Sequence, residues 1–448
     1  IHLLVLIHGL WGNPEDLGEA ARKIQSKATT ERPPTDDVFH VLLAKSNSAG
    51  STYDGVDWGA ERIAKEVRSE IERLAEDERQ VVRFSITGYS MGGLIARYVI
   101  GILHKRDFFK DVTPVNFTTF TSPHLGVARY PSLISTAQYA LGSIFLSRTG
   151  DQLWLLDKYT DERPLLDIMA DPDFIFYQAL SMFRHIRVYS NGVNDTAVPY
   201  LTGAIEVVDP FLEYLTSGVV VEFKESYAPL VERYTVPSKP TPKPWLQRVI
   251  RPILPPGWEV PLPVNILLYS SIPIVLPFVA IGAATNFSIR SQSSRLRVKK
   301  LETNDSQRTL AYLLAHPDVG AVAAPSTSTT SSTQILTTTT LPSSTTSSTE
   351  IPDLASVTIP APSSLPQVVE LVAPTTTSPP SLVQTTPAIL TPLQLRMAES
   401  LNKLPIDKET AYFPDVSNSH EIIICKDAQR SKAHRVGEGV LKHWADTF

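Results

Sequence analysis

Gly88-Tyr89-Ser90-Met91-Gly92-Gly93 stands between an apolar run, Val81-Val82-Arg83-Phe84-Ser85-Ile86-Thr87, and a helix-like segment, Leu94-Ile95-Ala96-Arg97-Tyr98-Val99-Ile100. Strand, G-x-S-x-G, helix is the setting of a nucleophile elbow. The turn is so tight that a Cβ two residues before or after the serine would strike the neighbouring strand or helix, so Gly88 and Gly92 are required there. Such a turn lifts Ser90 Oγ above the sheet and leaves the following N–H groups free to meet an anion.

A second apolar run, Ile1-His2-Leu3-Leu4-Val5-Leu6-Ile7, leads directly into His8-Gly9-Leu10-Trp11-Gly12-Asn13. A tetrahedral oxyanion needs donors fixed in advance, and backbone N–H groups serve because they need no reorganisation. The donors expected here are the N–H of Leu10, or else of Trp11, together with the N–H of Met91. His8 is read as a residue that shapes this loop.

An acid and a base complete such a site. His185-Ile186-Arg187-Val188-Tyr189-Ser190-Asn191 alternates like a strand and opens into Gly192-Val193-Asn194-Asp195-Thr196. Asp195, just past a late strand, suits the acid that holds a histidine tautomer and stabilises the imidazolium. The order serine, acid, histidine puts the base beyond it, and His316, His420, His434 and His443 remain. His316 precedes a low-complexity tract, and His443 lies in the helix-like pattern 439–444. His420 follows the polar loop Val416-Ser417-Asn418-Ser419 and opens the apolar Ile422-Ile423-Ile424, which would let an imidazole project from a loop tip. His420 is the first choice and His434 the second.

Together these residues resemble the serine esterase and lipase family of α/β-hydrolases that includes fungal lipid-droplet phospholipases and monoacylglycerol lipases. The resemblance is carried by Val5 to Asn13, Tyr53-Asp54-Gly55-Val56-Asp57, the elbow at Ser90, Thr121-Ser122-Pro123-His124-Leu125-Gly126, Asn194-Asp195 before Val198-Pro199, and Ser419-His420. It runs continuously from Ile1 to about Pro199 and resumes near the end of the chain. It implies a Ser90, Asp195, His420 triad acting on fatty-acyl esters of acylglycerols or (lyso)phospholipids. A soluble esterase or thioesterase on small acyl substrates, and a membrane-anchored scaffold with a hydrolase fold, are the competing readings.

The remaining sequence supports an α/β fold with a doubly wound, mostly parallel sheet. Strand-like runs occur at 3–7, 39–44, 81–86, 115–120 and 186–189, and Ile63, Val67, Ile71 and Leu74 recur at helical spacing. Residues 1–238 are expected to hold most of the core, and 393–448 its last strand, the His420 loop and a closing helix. Between them lie a Pro-rich and apolar insertion, 239–320, and a Ser/Thr/Pro-rich tract, 321–392, too poor in apolar residues to order itself. The apolar stretch 130–146 is either an acyl-chain wall or a packing helix.

Residues 262–287 carry no charge. That is long enough for a membrane helix, but Pro263, Pro273 and Pro277 interrupt it. A single span would also put Ser90 and His420 on opposite sides of the bilayer. A re-entrant hairpin, an interfacial element or a buried insertion is therefore expected. Arg248 and Arg251 before it, and Arg290, Arg295, Arg297, Lys299 and Lys300 after it, suit a return to one anionic face.

With 448 residues, net charge −5 and 42% apolar residues, the chain has the makings of a globular core and no basic stripe for nucleic acid. The pattern calls for no metal and no cofactor, and the sequence is silent on protein partners. Cys425 is the only cysteine, which points to a reducing compartment. Of the sequons at Asn116, Asn194, Asn286 and Asn304, Asn194 adjoins the expected acid, where a glycan would obstruct it. An intracellular protein on a membrane or lipid droplet, its site facing the cytosol, is expected. Ile1 already lies in a strand pattern, so the start of the sequence is no guide to a leader peptide.

Overall fold

Leu3, Val5 and Ile7 face one side of a sheet and Leu4 and Leu6 the other, all buried, so the first strand can only be an interior one. The structure, a computed structural model, describes residues 1–30, 38–128, 133–160, 162–237, 262–303 and 390–448. These fall within one compact unit made of Ile1–Ala321 and Val383–Phe448; the second unit, Val322–Leu382, lies outside the described residues. So do the Pro-rich stretch 239–261 with Arg248 and Arg251, His316, Asn304, and the Ser/Thr/Pro-rich tract up to residue 389.

The strands are β1 (His2–Ile7), β2 (Phe39–Leu43), β3 (Arg83–Tyr89), β4 (Thr113–Phe120), β5 (His185–Asn191), β6 (Val220–Phe223), β7 (Val231–Thr235) and β8 (Ile406–Ala411). Six of them form one sheet in the order β2-β1-β3-β4-β5-β8, every neighbouring pair parallel. β6 and β7 pair antiparallel as a separate ribbon. The helices are α1 (Gly18–Thr30), α2 (Val56–Glu76), α3 (Met91–Lys105), α4 (Leu133–Leu153), α5 (Leu165–Ala170), α6 (Ile175–Ser181), α7 (Tyr200–Gly203), α8 (Tyr214–Ser217), α9 (Leu262–Glu302), α10 (Pro392–Leu401) and α11 (Glu438–Asp446).

Two apolar cores cover the two faces of the sheet. One joins Leu3, Val5 and Ile7 to Ile63, Val67 and Leu74 of α2, to α3, and to Met397 and Leu401 of α10. The other joins Leu4 and Leu6 to Ala20 and Ile24 of α1, to Ile422, Ile423 and Ile424, and to Trp444 of α11. Each fully buried side chain of this size contributes roughly 1.5–3 kcal/mol. The last turns of the chain are thus part of the first strand's core, although more than 400 residues separate Leu4 from Trp444.

The last strand of the sheet is Ile406–Ala411, before the His420 loop, and the apolar Ile422 to Ile424 form buried turns. One expectation changes. The segment from Leu262 is one helix, α9, and not a hairpin. Nor is it wholly buried, because Phe278 is 72% and Ile281 65% exposed. Among the described residues no helix is long and apolar enough to cross a membrane. The C-terminal half of α9 is the part fixed to the body. Ser291, Ser294 and Val298 are buried. Arg297 donates to Asp54 Oδ1 at 2.8 Å and to the Gly50 carbonyl at 2.7 Å. Glu302 pairs with Arg148 of α4 at 3.1 Å, and Arg148 in turn grips Asp57 at 2.6 Å.

Candidate active site

The strand order reverses between β1 and β3, and the chain leaves the two strands at their carboxyl ends in different directions. In open α/β sheets this crevice is where ligands bind. Here it lies between Gly9, just past β1, and Ser90, just past β3.

Ser90 has φ 55° and ψ −129°, a strained backbone for a residue with a Cβ, which costs about 1–3 kcal/mol. The glycines around it make the strain possible. A methyl on Gly88 would run into the backbone of Gly92 and Gly93, and one on Gly92 into the carbonyls of Ile7 and His8. Gly92 therefore also lets α3 start hard against β1. Ser90 N–H donates to the Phe120 carbonyl at 2.9 Å, which ties the turn to β4.

Gly9 packs directly on the serine: a Cβ there would sit 2.7 Å from Ser90 Cβ. His8 is buried; its Nδ1 pairs with the Gly9 carbonyl at 3.0 Å and its Nε2 with Ser48 Oγ at 3.1 Å. Burial lowers its pKa, only partly opposed by the Gly9 carbonyl and Asp16, so it braces the loop as a neutral ring. Trp11 N–H donates to Thr52 Oγ1 at 3.3 Å, which removes it from the two possible donors. Leu10 N–H and Met91 N–H have no hydrogen-bond partner among the described residues.

The other side chains arrive from far along the sequence. His420 Nε2 lies 3.0 Å from Ser90 Oγ, and His420 Nδ1 lies 3.0 Å from Asp195 Oδ2. The loops carrying acid and base run side by side. Ser419 N–H donates to the Asn194 carbonyl at 2.9 Å, Ser419 Oγ to the Val193 carbonyl at 2.8 Å, and Asn194 Nδ2 to the Phe413 carbonyl at 2.8 Å. The buried turns at 422–424 anchor the base loop from below, and the Tyr89 ring lies 5.1 Å from the imidazole. His434 is elsewhere, its Nδ1 accepting from Asp427 N–H at 3.1 Å, and His443 pairs with Tyr189 OH at 2.9 Å.

Asp195 is surrounded by donors. Thr121 Oγ1 at 2.5 Å and Asn191 Nδ2 at 2.7 Å donate to Oδ2, and the N–H groups of Ala197 and Val198 donate to Oδ1 at 3.0 and 2.8 Å. Burial alone would raise this carboxyl, whose side chain is 2% exposed. The charge of His420 and the hydrogen bonds of His420, Thr121 and Val198 outweigh it and hold the group below its ordinary value. Thr121 and Asn191 had no role in the sequence reading. A usable signal did exist: a hydroxyl and an amide at the carboxyl ends of the two strands after the elbow.

Neither of two sequons can carry a glycan in this fold. Asn116 is buried in β4, and the Asn194 amide is taken up by the Phe413 carbonyl and by Tyr214 OH, which donates to Asn194 Oδ1 at 2.7 Å. Among the described residues no group of His, Cys, Asp and Glu is arranged to hold a metal.

A parallel sheet wound in both directions, with a strained serine after β3, an acid after β5 and a histidine after β8, is the arrangement of an α/β-hydrolase. Residues 1–206 match the family model described as "Putative serine esterase (DUF676)". A Schizosaccharomyces pombe protein named "Putative lipase C4A8.10" is 30% identical over 212 residues, 46% of this chain and 26% of its own length. The Saccharomyces cerevisiae "Putative lipase ROG1" is 29% identical over 211 residues, 46% of this chain and 29% of its own. The match thus spans less than a third of either relative. Among solved structures, phospholipase PlaB from Legionella pneumophila in complex with thio-NAD is 16% identical, with 45% of this chain and 41% of that one covered, at a TM-score of 0.27, too slight a likeness to build on.

Proposed function

We propose that the protein is a serine hydrolase that cleaves fatty-acyl ester bonds of acylglycerols or (lyso)phospholipids. The reading is carried by one observation, the unbroken line from Ser90 Oγ through His420 to Asp195, 3.0 Å at each step. In the first half-reaction His420 Nε2 takes the Ser90 proton as Oγ attacks the ester carbonyl. The Leu10 and Met91 N–H groups meet the oxyanion. The tetrahedral species collapses, the C–O bond to the alcohol breaks, and His420 gives its proton to the leaving oxygen. In the second, His420 takes a proton from water, the hydroxide attacks the acyl-enzyme, and the acid leaves as Ser90 recovers its proton. Asp195 stays ionised throughout and fixes the tautomer with the proton on Nδ1.

Lipid esters are favoured over small soluble ones for two reasons. The relatives carry the name lipase. And α9 begins in an uncharged stretch and exposes Phe278 and Ile281, which suits a helix lying in the surface of a membrane or lipid droplet. Engagement of the Asn194 amide within the fold favours a cytosolic site over a glycosylating compartment.

The test is a hydrolysis panel of mono-, di- and triacylglycerols and diacyl and lysophospholipids, run with the full chain and its Ser90→Ala variant. The reading expects long-chain lipids to be cleaved, with turnover lost in the variant. Cleavage of short soluble esters alone would move the protein to the esterase class. Turnover that survives in Ser90→Ala removes the reading.

A further inference from the structure

A row of aromatic side chains that begins on the loop next to the nucleophile comes from three separate parts of the sequence. Trp11 lies two residues beyond Gly9, which touches Ser90, so its Cα stands within two Cα steps of the serine's neighbour. Its backbone is fixed in a left-handed conformation, φ 59°. Its one polar ring atom is satisfied, Nε1 donating to Tyr53 OH at 2.9 Å. The indole nevertheless remains 54% exposed.

The Phe287 ring of α9 lies 5.6 Å from the Trp11 ring, and the Phe145 ring of α4 lies 6.0 Å beyond Phe287. Both phenylalanines are half-buried, and Ile144 is exposed next to the outer one. The row therefore starts at the loop that holds the oxyanion donor Leu10 and leads away from it along α4 and α9. No atom in it offers a free hydrogen bond. Its members are in ring contact yet none is fully buried, as a cluster made only for packing would be.

Position is imposed on each member. Ser291 Oγ donates to the Ile144 carbonyl at 3.0 Å, one helical turn from Phe287, and joins α9 to α4 beside the row. Arg297 binds Asp54 and the Gly50 carbonyl, next to the Thr52 and Tyr53 that hold Trp11. Helix α9 is thus bolted to the same short segment, Ala49–Tyr53, that shapes the oxyanion loop.

We infer that Trp11, Phe287 and Phe145 form the acyl-chain subsite of the Ser90 centre, which takes a linear fatty-acyl chain, and that Phe287 sets the preference for long chains. The inference rests on the ester-hydrolase reading and adds a residue some 200 positions from the nucleophile to the binding site. An alkyl chain bound through its acyl carbonyl at Ser90 meets the Trp11 face first and the Phe287 ring next. Short acyl groups end before Phe287.

The test uses the full chain with p-nitrophenyl butyrate and p-nitrophenyl laurate, each below its micelle concentration, with fluorophosphonate labelling of Ser90 in parallel. The laurate-to-butyrate ratio of kcat/KM should fall about tenfold in Phe287→Ala and by a similar factor in Phe145→Ala. Phe287→Leu, which keeps an apolar wall, should hold the ratio within about threefold of the parent. An unchanged ratio in both alanine variants, with labelling intact, overturns the subsite alone. Equal losses on both esters together with a lowered Tm also overturn it, since the row would then be packing. A parent chain that is neither labelled nor active on either ester removes the ester-hydrolase reading itself.

Discussion

The two sides of Ser90 are held by different physics. On the acid and base side, Asp195 alone accepts from five donors, and the loops of Asp195 and His420 are stitched together by backbone carbonyls. Around the loop after β1, the aromatic row and α9 depend on ring contacts and on arginine pairs that remain partly open to water, Arg297 with a side chain 43% exposed. The first arrangement tolerates no displacement. The second can admit ligands of different length and be loosened by salt. Chemistry and choice of substrate should therefore respond to different perturbations.

The largest effects belong to the first side. Ser90→Ala should lower kcat/KM by at least about 10⁴-fold on any ester. His420→Ala should cost about as much, whereas His434→Ala, whose ring is engaged with Asp427, should stay within about threefold in the same assay. Comparable losses at both histidines would undo the assignment of the base.

An intermediate effect should appear at the donors to Asp195. Thr121→Val removes the hydroxyl that lies 2.5 Å from Oδ2 and should slow turnover roughly tenfold at neutral pH. The pH dependence has a definite sign. Asp195 has a folded-state pKa below its ordinary 3.8, so it stabilises the fold fully above that value and the stabilisation is lost as pH falls through the lower folded value. Thr121→Val raises the folded pKa and narrows that window. Its acid-unfolding midpoint should move upward; a midpoint that stays put would mean that the hydroxyl does not stabilise the carboxylate.

The smallest effect belongs to the other side. Arg297→Ala removes two hydrogen bonds to Asp54, but Arg62 still pairs with that carboxylate at 3.2 Å. The loss should be about 1 kcal/mol in urea unfolding and should shrink at high salt. A salt-independent loss of several kcal/mol would make this strap part of the folding core and erase the contrast between the two sides.

The same contrast governs what the sequence could reveal. β1, β3, β4 and β5 were legible because they are interior strands that read as apolar runs, and the edge strand β2 because its Val41, Leu42 and Leu43 still pack on the two cores. β8, Ile406-Asp407-Lys408-Glu409-Thr410-Ala411, was not, because it ends the sheet and meets its surroundings through charge pairs, Asp407 with Arg187, Lys408 with Glu206 and Glu409 with Lys224. Ile422 to Ile424 carry the opposite lesson: apolar residues in turns can be buried as deeply as any strand. In α9 the prolines suggested a break, yet the helix runs from Leu262 to Glu302.

At the site, Ser90 was legible from its own neighbours, since the elbow's geometry is local. His420 was reached only through the order of the chain, and it lies within reach of Ser90 across 330 residues. Thr121 stands at the legible carboxyl end of a strand, but nothing local pairs it with Asp195, and Phe287 has no local signature. Their positions follow from how β4 stands beside β5 and how α9 returns to the oxyanion loop, which no window of sequence contains.

The most direct measurement is peptide mapping of the full chain after reaction with a fluorophosphonate, compared with Ser90→Ala and His420→Ala. The account predicts a single modified residue, Ser90, with no labelling in the first variant and labelling slowed by several orders of magnitude in the second. Modification at another residue, or a rate that does not depend on His420, would contradict it.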